Sequence, residues 1–448
     1  MSADMQPYQL GLIEALSEIS AGRLSMQDVV HSCLARSAAV EPVVGAFAWF
    51  DREAVLVALR AAPVGPLAGM PIGVKDIIAT AGIPTEMGSA AFKGHVPAQS
   101  AWVADALTQA GAIVFGKTVT TEFAWRHPGK TRNPWNLDHT PGGSSSGSAA
   151  AVACGSVPAA LGTQTLGSIL RPAAFCGVVG FKPSFGAIPR TGVYPFAHSL
   201  DHLGVFTRNV SDAAFLASLL FGQDGVDFPK FAAPVPAWPL AKLARPPKIA
   251  LVHTSAWDRV SEEQQALVES TARQLAAAGA EVTALVLPPA FDDLWKVAQT
   301  LADAEGALAN REVASQKPLL VSEATRALVE SGRTISALAY LQAKADQAAL
   351  TRLFDSLTSG FDAVLTAPAL GEAPQGLVNT GDAAFCTPFT LMGVPAITLP
   401  AARSKNGLPL GIQLAGRWSR DLELMNVALW VETQLGYRSG LPMDGTAG

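Results

Sequence analysis

The chain has 448 residues, with 32 lysines and arginines against 37 aspartates and glutamates, which gives a formal net charge of −5. Charged residues make up 15% of the sequence and hydrophobic residues 49%. The length predicts two domains or one large α/β unit. The mildly acidic balance, without clustered lysines and arginines, disfavours nucleic-acid binding, because neutralising phosphates requires such clusters.

The apolar composition is not concentrated in a membrane span, which needs about 20 consecutive apolar residues. The longest comparable run, 149–161, is interrupted by Gly155 and Pro158. Residues 1–12 lack the basic cluster and apolar core of a signal peptide. The four cysteines are far apart and form no CxxC pair. They predict buried thiols in a cytoplasmic protein, not disulfides or a zinc site.

The first part of the chain alternates between helical and strand-like patterns. Residues 1–60 are predicted to be helical, with Ser25 as a candidate N-cap. An apolar strand is predicted within 66–78, then a helix over 100–110 and a strand over 112–115. Helices that alternate with buried strands are typical of a layered α/β fold.

A Pro-rich segment, 223–247, predicts a surface connector before the second half of the chain. A β-α-β unit is predicted after it, with a strand at 248–252, a helix at 262–278 and a strand at 281–287. The pattern then predicts a wholly helical stretch over 290–356 and a return to strands, loops and helices over 361–435.

Two motif matches are not interpreted as functional sites. Residues 111–118 match the phosphate-loop pattern GxxxxGK[ST], but the intervening Ala-Ile-Val-Phe is typical of a strand and not of a loop. Residues 143–147 match GxSxG, the nucleophile elbow, but the preceding 131–141 is polar and broken by proline. The seven histidines have no accompanying carboxylate-rich segment, so the expected catalytic base is not a histidine.

Lys75 interrupts an apolar strand between Val74 and Ile77. Burial lowers the pKa of a lysine because it desolvates the charged form, and a neutral lysine can act as a general base. A lysine that reaches the surface and pairs with Asp76 is the alternative structural explanation. The residues alone leave both interpretations open.

Two neighbouring segments, 142–155 and 161–172, are dense in glycine, serine and alanine. Gly162 and Gly167 lie in the segment that leads to Ser168. Consecutive backbone amides there could form an oxyanion hole for acyl transfer. Close packing of small residues without any reaction is the alternative.

Several motifs make the chain resemble the amidase signature family, whose hallmark is a Ser–cis-Ser–Lys triad. The shared segments run in family order from about residue 65 to 435 and include Gly69-Met-Pro-Ile-Gly-Val-Lys-Asp76, Pro141-Gly-Gly-Ser-Ser145, Phe181-Lys-Pro183, Ser199-Leu-Asp201 and Gly407-Leu-Pro409. The resemblance implies an α/β fold with a large mixed central β-sheet covered by helices on both faces. It implies one domain over 1–448, comprising N-terminal helices (1–60), a signature core (65–222), the connector (223–247), a β-α-β and variable helical region (248–360) and a C-terminal return to the sheet (361–435).

The same resemblance implies the roles of the site residues. Lys75 is the expected base, Ser144 the bridging serine in a cis peptide, and Ser168 the nucleophile. The backbone amides of Thr165, Leu166, Gly167 and Ser168 are the expected oxyanion hole, and Ser145 is expected to add a supporting hydrogen bond. No metal or organic cofactor is implied, and a homodimer is a possible assembly.

The chain departs from the family pattern close to the expected nucleophile. Gln164 replaces an aspartate, Leu166 replaces a glycine, Leu170 stands where an arginine is usual, with Arg171 one place later, and Ser146 replaces a glycine. Leu166 is expected either to narrow the acyl pocket or to pack back into the core.

The expected function is hydrolysis of a small carboxylic amide without strong charge, since the segment 381–390 offers one acid among apolar residues. The helical region 290–356 is expected to cover the site. The alternatives are the ammonia-releasing glutaminase subunit of a tRNA-dependent amidotransferase, a hydrolase of hydrazides or esters, and a non-catalytic protein that binds a partner.

Overall fold

Eleven β-strands are found in the computed structural model, which describes residues 5–61, 64–227 and 239–443. In chain order they are β1 (Phe47–Trp49), β2 (Pro71–Lys75), β3 (Ile113–Thr118), β4 (Ala159–Gln164), β5 (Val179–Lys182), β6 (His202–Thr207), β7 (Lys248–Leu251), β8 (Glu281–Ala284), β9 (Ala363–Thr366), β10 (Ala396–Arg403) and β11 (Pro409–Ala415). They form one mixed sheet in the order β1-β3-β2-β4-β6-β5-β10-β11-β9-β7-β8. The sheet confirms the predicted fold class.

Thirteen α-helices accompany the sheet within the same described residues. They are α1 (Leu12–Ser20), α2 (Met26–Val44), α3 (Arg52–Arg60), α4 (Trp102–Gln109), α5 (Ser146–Ala153), α6 (Leu170–Cys176), α7 (Val210–Leu220), α8 (Glu262–Ala277), α9 (Leu294–Gln316), α10 (Glu323–Arg333), α11 (Ala337–Leu357), α12 (Thr387–Leu391) and α13 (Asp421–Leu435). Helices α9 to α12 share one hydrophobic cluster with Leu170, and the earlier helices belong to a larger one. Among the described helices, none combines the length and apolar character that a membrane crossing requires.

The parallel group β3-β2-β4, towards one end of the sheet, carries the first site residue. Strand β2 lies between β3 and β4 and is parallel to both, with Lys75 opposite Thr118 and Val74 opposite Leu161. All five residues of β2 are buried, as expected for a strand covered on both faces. Lys75 is therefore placed at the end of a fully enclosed strand.

The N-terminal predictions hold in part. Ser25 caps α2, and its Oγ accepts a hydrogen bond from the backbone N–H of Asp28 at 3.1 Å. The helix predicted from residue 100 begins two residues later, because the hydroxyl of Ser100 accepts a hydrogen bond from Ala81 N–H at 3.0 Å and does not cap α4. The prediction of helix throughout 1–60 missed the short strand β1, which pairs antiparallel with β3.

The second half of the chain follows the predicted order of elements. Strands β7 and β8 are parallel and are joined through α8, which confirms the β-α-β unit, although β8 ends at Ala284 and not at 287. The stretch 290–356 contains three helices and two short breaks. Of the predicted connector, residues 228–238 lie outside the described residues.

Candidate active site

Lys75 is buried and makes short contacts with two hydroxyl groups. Its Nζ lies 2.7 Å from Ser144 Oγ and 2.7 Å from Thr163 Oγ1. Burial lowers the pKa of Lys75 well below its usual value, and the charge of Asp201 opposes that shift more weakly. The amine is therefore poised to be neutral beside a serine hydroxyl, and it does not form the alternative pair with Asp76, whose carboxylate accepts from Glu86 N–H.

Ser144 follows a cis peptide bond from Gly143, as the resemblance implied. Its carbonyl oxygen accepts a hydrogen bond from Thr121 N–H at 3.1 Å. The next residue, Ser145, donates from Oγ to the carbonyl of Thr163 at 3.1 Å and accepts from Thr163 N–H at 3.3 Å. A side chain at Gly162 would bring its Cβ within 2.9 Å of Ser145 Oγ, so this contact requires glycine. Ser145 thus fixes β4 beside the loop that carries Ser144.

Ser168 lies just before α6, on the loop that joins this helix to β4. It is 7% exposed and lines the same cavity as Ser144, although the structure records no hydrogen bond between the two hydroxyls. Within the described part of the chain, the backbone amides of residues 165–168 donate to no protein acceptor. Four unpaired amides beside an accessible hydroxyl are the arrangement that an oxyanion hole requires.

The side chain of Gln164 forms hydrogen bonds that fix the loop between β4 and α6. Its Oε1 accepts from the backbone N–H groups of Ile169 at 2.7 Å and Leu170 at 3.0 Å, while its Nε2 donates to Thr390 Oγ1 at 2.8 Å. The hydroxyl of Thr390 in turn donates to the carbonyl of Leu166 at 2.8 Å. A neutral amide therefore occupies the place of the family's aspartate and ties the loop to α12.

The cavity in front of Ser168 has a volume of about 340 Å³. Its wall includes all four residues of the expected oxyanion loop. The other lining residues are small, aromatic, charged or polar, namely Ala124, Trp125, Arg126, Ser144, Arg171, Trp295, Asn379, Thr380, Gly381, Asp382 and Ala383. Leu166 both lines this cavity and packs against the hydrophobic cluster beneath α9, so the two expected placements are combined. From the helical region, Trp295 of α9 reaches the cavity.

The two discounted motifs take the predicted conformations. Residues 113–118 of the phosphate-loop match form β3, and Lys117 is enclosed with its Nζ donating to the carbonyl of Ile78 and to Thr85 Oγ1. Burial lowers the pKa of Lys117 to about 7. Ser145 of the GxSxG match follows a loop and directly precedes α5, and no strand leads into it.

Sequence reasoning missed several residues of this site. Thr163, the second hydroxyl partner of Lys75, lies within the Gly162-Thr163-Gln164 segment and could have been suspected from its place beside the expected site residues. The orientation of Arg171 and the contribution of Trp125 could not have been found from spacing, because they depend on how distant loops meet at the cavity.

Comparison with known proteins connects this geometry to a family. A family model described as Amidase matches residues 28–425. A glutamyl-tRNA(Gln) amidotransferase subunit from Symbiobacterium thermophilum is 35% identical over 91% of this chain and 93% of its own length.

Solved structures agree with this assignment. An amidase crystal structure is 31% identical, covers 95% of this chain and 100% of its own, and superposes with a TM-score of 0.85. A 6-aminohexanoate cyclic dimer hydrolase complexed with substrate is 25% identical, covers 98% and 99% of the two chains, and has a TM-score of 0.88. The family model, the relatives and the sheet all agree, and the chain belongs to the amidase signature family.

Proposed function

We propose that this protein hydrolyses the C–N bond of a small carboxylic amide through an acyl-enzyme on Ser168, with Ser144 and Lys75 as the proton-transfer partners. The observation that carries the proposal is the buried amine of Lys75, 2.7 Å from Ser144 Oγ. A buried lysine with a lowered pKa can accept a proton near neutral pH, which an exposed lysine cannot do.

The first chemical step forms the acyl-enzyme. Ser168 Oγ attacks the carbonyl carbon of the amide while its proton passes to Ser144, and the proton of Ser144 passes to the neutral amine of Lys75. The hydroxyl of Thr163 accepts a hydrogen bond from the amine and stabilises the ammonium that forms. The negative charge on the former carbonyl oxygen is held by the unpaired amides of residues 165–168.

Collapse of the tetrahedral intermediate then breaks the C–N bond. Ser144 gives a proton to the departing nitrogen and recovers one from the ammonium of Lys75, so that the amine is neutral again. Water attacks the acyl-enzyme by the same proton path and releases the carboxylic acid and Ser168. Every proton moved in these steps begins and ends on a group of the site, the substrate or the attacking water.

A fluorophosphonate probe with mass mapping tests the assignment of the nucleophile. We expect one adduct on Ser168, loss of the adduct in Ser168→Ala, and much slower labelling in Ser144→Ala. Ser146→Ala is the matched control, because Ser146 begins α5 two residues after Ser144 and its hydroxyl donates to the carbonyl of Val119 at 3.3 Å. A folded protein that hydrolyses amides yet carries the adduct elsewhere would contradict the proposal.

The second candidate is the glutaminase subunit of a tRNA-dependent amidotransferase. It is favoured by the relatives, among them the glutamyl-tRNA(Gln) amidotransferase subunits of Symbiobacterium thermophilum and of Synechococcus, which are 35% and 33% identical to this chain. Ammonia release should be measured across aliphatic, aromatic and amino-acid amides. Release from glutamine that depends on added tRNA and partner subunits would favour this candidate over a free-standing amidase.

A further inference from the structure

The carboxylate of Asp201 is bonded to the loop that carries the unpaired amides. Its Oδ1 accepts a hydrogen bond from the hydroxyl of Thr165 at 2.6 Å. Its Oδ2 accepts from the backbone N–H groups of Phe196 at 2.8 Å and Ala197 at 2.9 Å. All three partners are donors, which suits an ionised carboxylate because that group can only accept. Asp201 therefore presents a negative charge beside Thr165 and fixes the side chain of that residue.

Two threonines place this carboxylate on the same side of the chain as the amine of Lys75. Thr163, whose hydroxyl lies 2.7 Å from Lys75 Nζ, and Thr165 line a second cavity of about 360 Å³. Asp201 is half-buried and lines the same cavity. The side chain of the intervening Gln164 points the other way, towards α12. Two residues of extended chain span roughly 6–7 Å, so the amine and the carboxylate are separated by a distance on the order of 7 Å.

The basic groups around Asp201 do not pair with its carboxylate. The guanidinium of Arg190 is paired with Asp227 at 2.9 Å, and it donates to the backbone carbonyls of His198 and Asp201. His202 is buried, and burial lowers its pKa well below the usual value, so its ring is neutral near pH 7. The side chain of His198 is exposed. Within the described part of the chain, no lysine or arginine forms an ion pair with the carboxylate of Asp201.

The charged groups of the neighbouring helices are also bonded elsewhere. Glu305 of α9 accepts a hydrogen bond from Ser199 N–H at 2.8 Å and another from the hydroxyl of Ser199. Lys344 of α11 donates to Ser199 Oγ at 2.8 Å. Both charges therefore hold the turn that leads to Asp201 without touching its carboxylate. Lys75 is left as the group of the proton path on which the charge of Asp201 can act.

We propose that Asp201 is a positioning residue of the site, which fixes Thr165 in the oxyanion loop and supplies the negative charge that stabilises Lys75 as an ammonium. The inference rests on the proposed hydrolysis at Ser168. Asp201 takes no proton, and the transfer from Ser168 through Ser144 to the amine is unchanged. The amine is neutral before the attack and cationic after it, so a fixed negative charge stabilises the transition state more than the ground state.

The charge of Asp201 already acts on Lys75 before any substrate binds. Burial lowers the pKa of Lys75, and the charge of Asp201 opposes this shift. Burial also raises the pKa of Asp201, while the hydrogen bond from Thr165 lowers it and so favours the ionised form. Two unit charges about 7 Å apart in a protein move a pKa by roughly one to two units. Removing the charge should therefore make Lys75 a weaker base.

Two substitutions separate the charge of Asp201 from its hydrogen bond. Asp201→Asn removes the charge and keeps a contact, because the amide nitrogen can donate to the hydroxyl of Thr165 while the amide oxygen accepts from the two backbone N–H groups. We expect the acid limb of kcat/KM to move about one to two units lower and kcat to fall at least tenfold. Thr165→Val removes the hydrogen bond and leaves the charge. It should lower kcat at least fivefold and keep the acid limb within about 0.3 unit of the wild type.

Asp212→Asn is the matched control. Asp212 of α7 also accepts from two backbone N–H groups, those of Leu12 and Ile13, and from one side chain, that of Asn209. It lines neither cavity, so this variant should lose stability but keep kcat within twofold and leave the acid limb in place. If Asp201→Asn behaved in the same way, Asp201 would serve only the fold and the inference would be overturned.

The variant Thr165→Val keeps the inference testable if Asp201→Asn does not fold. A wild-type kcat in Thr165→Val would contradict the anchoring of the oxyanion loop by Asp201. KM should change little in either variant, because Asp201 does not line the cavity in front of Ser168 and valine retains the volume of the threonine. A rise in KM with an unchanged kcat would assign Asp201 to the binding of substrate and overturn its role in the proton path.

A direct titration of Lys75 distinguishes failure of the inference from failure of the proposed function. In protein labelled with carbon-13 lysine, the Cε resonance that disappears in Lys75→Met reports the protonation of the amine without any substrate. We expect its midpoint to fall by about one to two pH units in Asp201→Asn and to stay in place in Asp212→Asn. A shifted midpoint in a protein that hydrolyses no amide would support the action of Asp201 on Lys75 and reject the proposed hydrolysis. Hydrolysis with an unmoved midpoint would reject only the role of Asp201.

Discussion

Replacing Thr163 by valine removes one of the two hydroxyl contacts of Lys75 with little change in volume. The contact joins Lys75 Nζ to Thr163 Oγ1 at 2.7 Å within a site where both residues are buried. Thr163 also holds Ser145 through its backbone, and the substitution leaves those two hydrogen bonds in place. The variant therefore tests the hydrogen bond between Thr163 and Lys75 and leaves the backbone hydrogen bonds to Ser145 intact.

The size of the effect follows from the charge that develops on Lys75. The amine is neutral before the reaction and becomes an ammonium as Ser168 attacks, so the hydroxyl contributes more in the transition state than in the ground state. Hydrogen bonds to charged groups contribute about 1.5–3 kcal/mol, which corresponds to a loss of about 10- to 150-fold in kcat. KM should change little, because Thr163 does not line the cavity in front of Ser168.

The assay is steady-state hydrolysis of one amide across a range of pH. Losing an acceptor that stabilises the ammonium form lowers the pKa of Lys75 further, so the acid limb of kcat/KM should move to lower pH in Thr163→Val. Thr366→Val is the matched control, since the hydroxyl of Thr366 is buried without a partner in β9. It should retain wild-type activity and unfold at slightly higher temperature, because an unsatisfied buried hydroxyl costs roughly 1–3 kcal/mol.

Two results would refute this reasoning about Lys75. A wild-type kcat in Thr163→Val would mean that the threonine does not stabilise the ammonium. A shift of the acid limb towards higher pH would mean that the hydroxyl donates to the neutral amine and favours its uncharged form. Circular dichroism of both variants verifies that folding is not the cause of any loss.

Three further substitutions probe the same site. Lys75→Met should lower kcat by about 10²- to 10⁴-fold, and it should raise stability near neutral pH. The pKa of Lys75 in the folded protein lies well below its usual value of 10.5, so below that pH the unfolded chain binds more protons than the folded chain. In thermal melts, the stability gained by Lys75→Met should therefore shrink as the pH rises towards 10.5. Gln164→Leu should cost about 2–3 kcal/mol in denaturant unfolding and lower kcat more than KM, and unchanged kinetics would exclude a positioning role. Leu166→Ala should cost roughly 1–2 kcal/mol and raise the relative kcat/KM for bulkier acyl groups, whereas an unaltered preference would mean that Leu166 does not limit them.

Local sequence patterns predicted many of the helices and strands, because the formation of these elements depends on residues that are close in sequence. The N-cap at Ser25 and the β-α-β unit from Lys248 follow from spacing and turn residues alone, and Lys75 stood out because a charge interrupted an apolar strand. Strand β1 was not predicted because three residues are too few to show a periodic pattern, and the strand forms only by pairing with β3. The start of α4 was placed too early because Ser100 is used by a distant backbone amide.

The candidate site was predicted through the family resemblance more than through chemistry. Lys75 and Ser144 are 69 residues apart, and no local rule brings them within 2.7 Å. Thr163 remained outside the expectation, since its role depends on which way its side chain points after the strands have paired.

The parallel pairing of β2 with β4 has a consequence for how this protein can be altered. Ile72 lies opposite Ala159 and Val74 opposite Leu161, so the register fixes which face each following side chain occupies. Deleting one residue from β4 would turn Thr163 away from the amine and present its neighbour in its place. The loop at 379–383 belongs to no strand, so no register sets the direction of its side chains. Redesign of substrate range is therefore geometrically separable from the proton path, and libraries confined to residues 379–383 should yield many active clones.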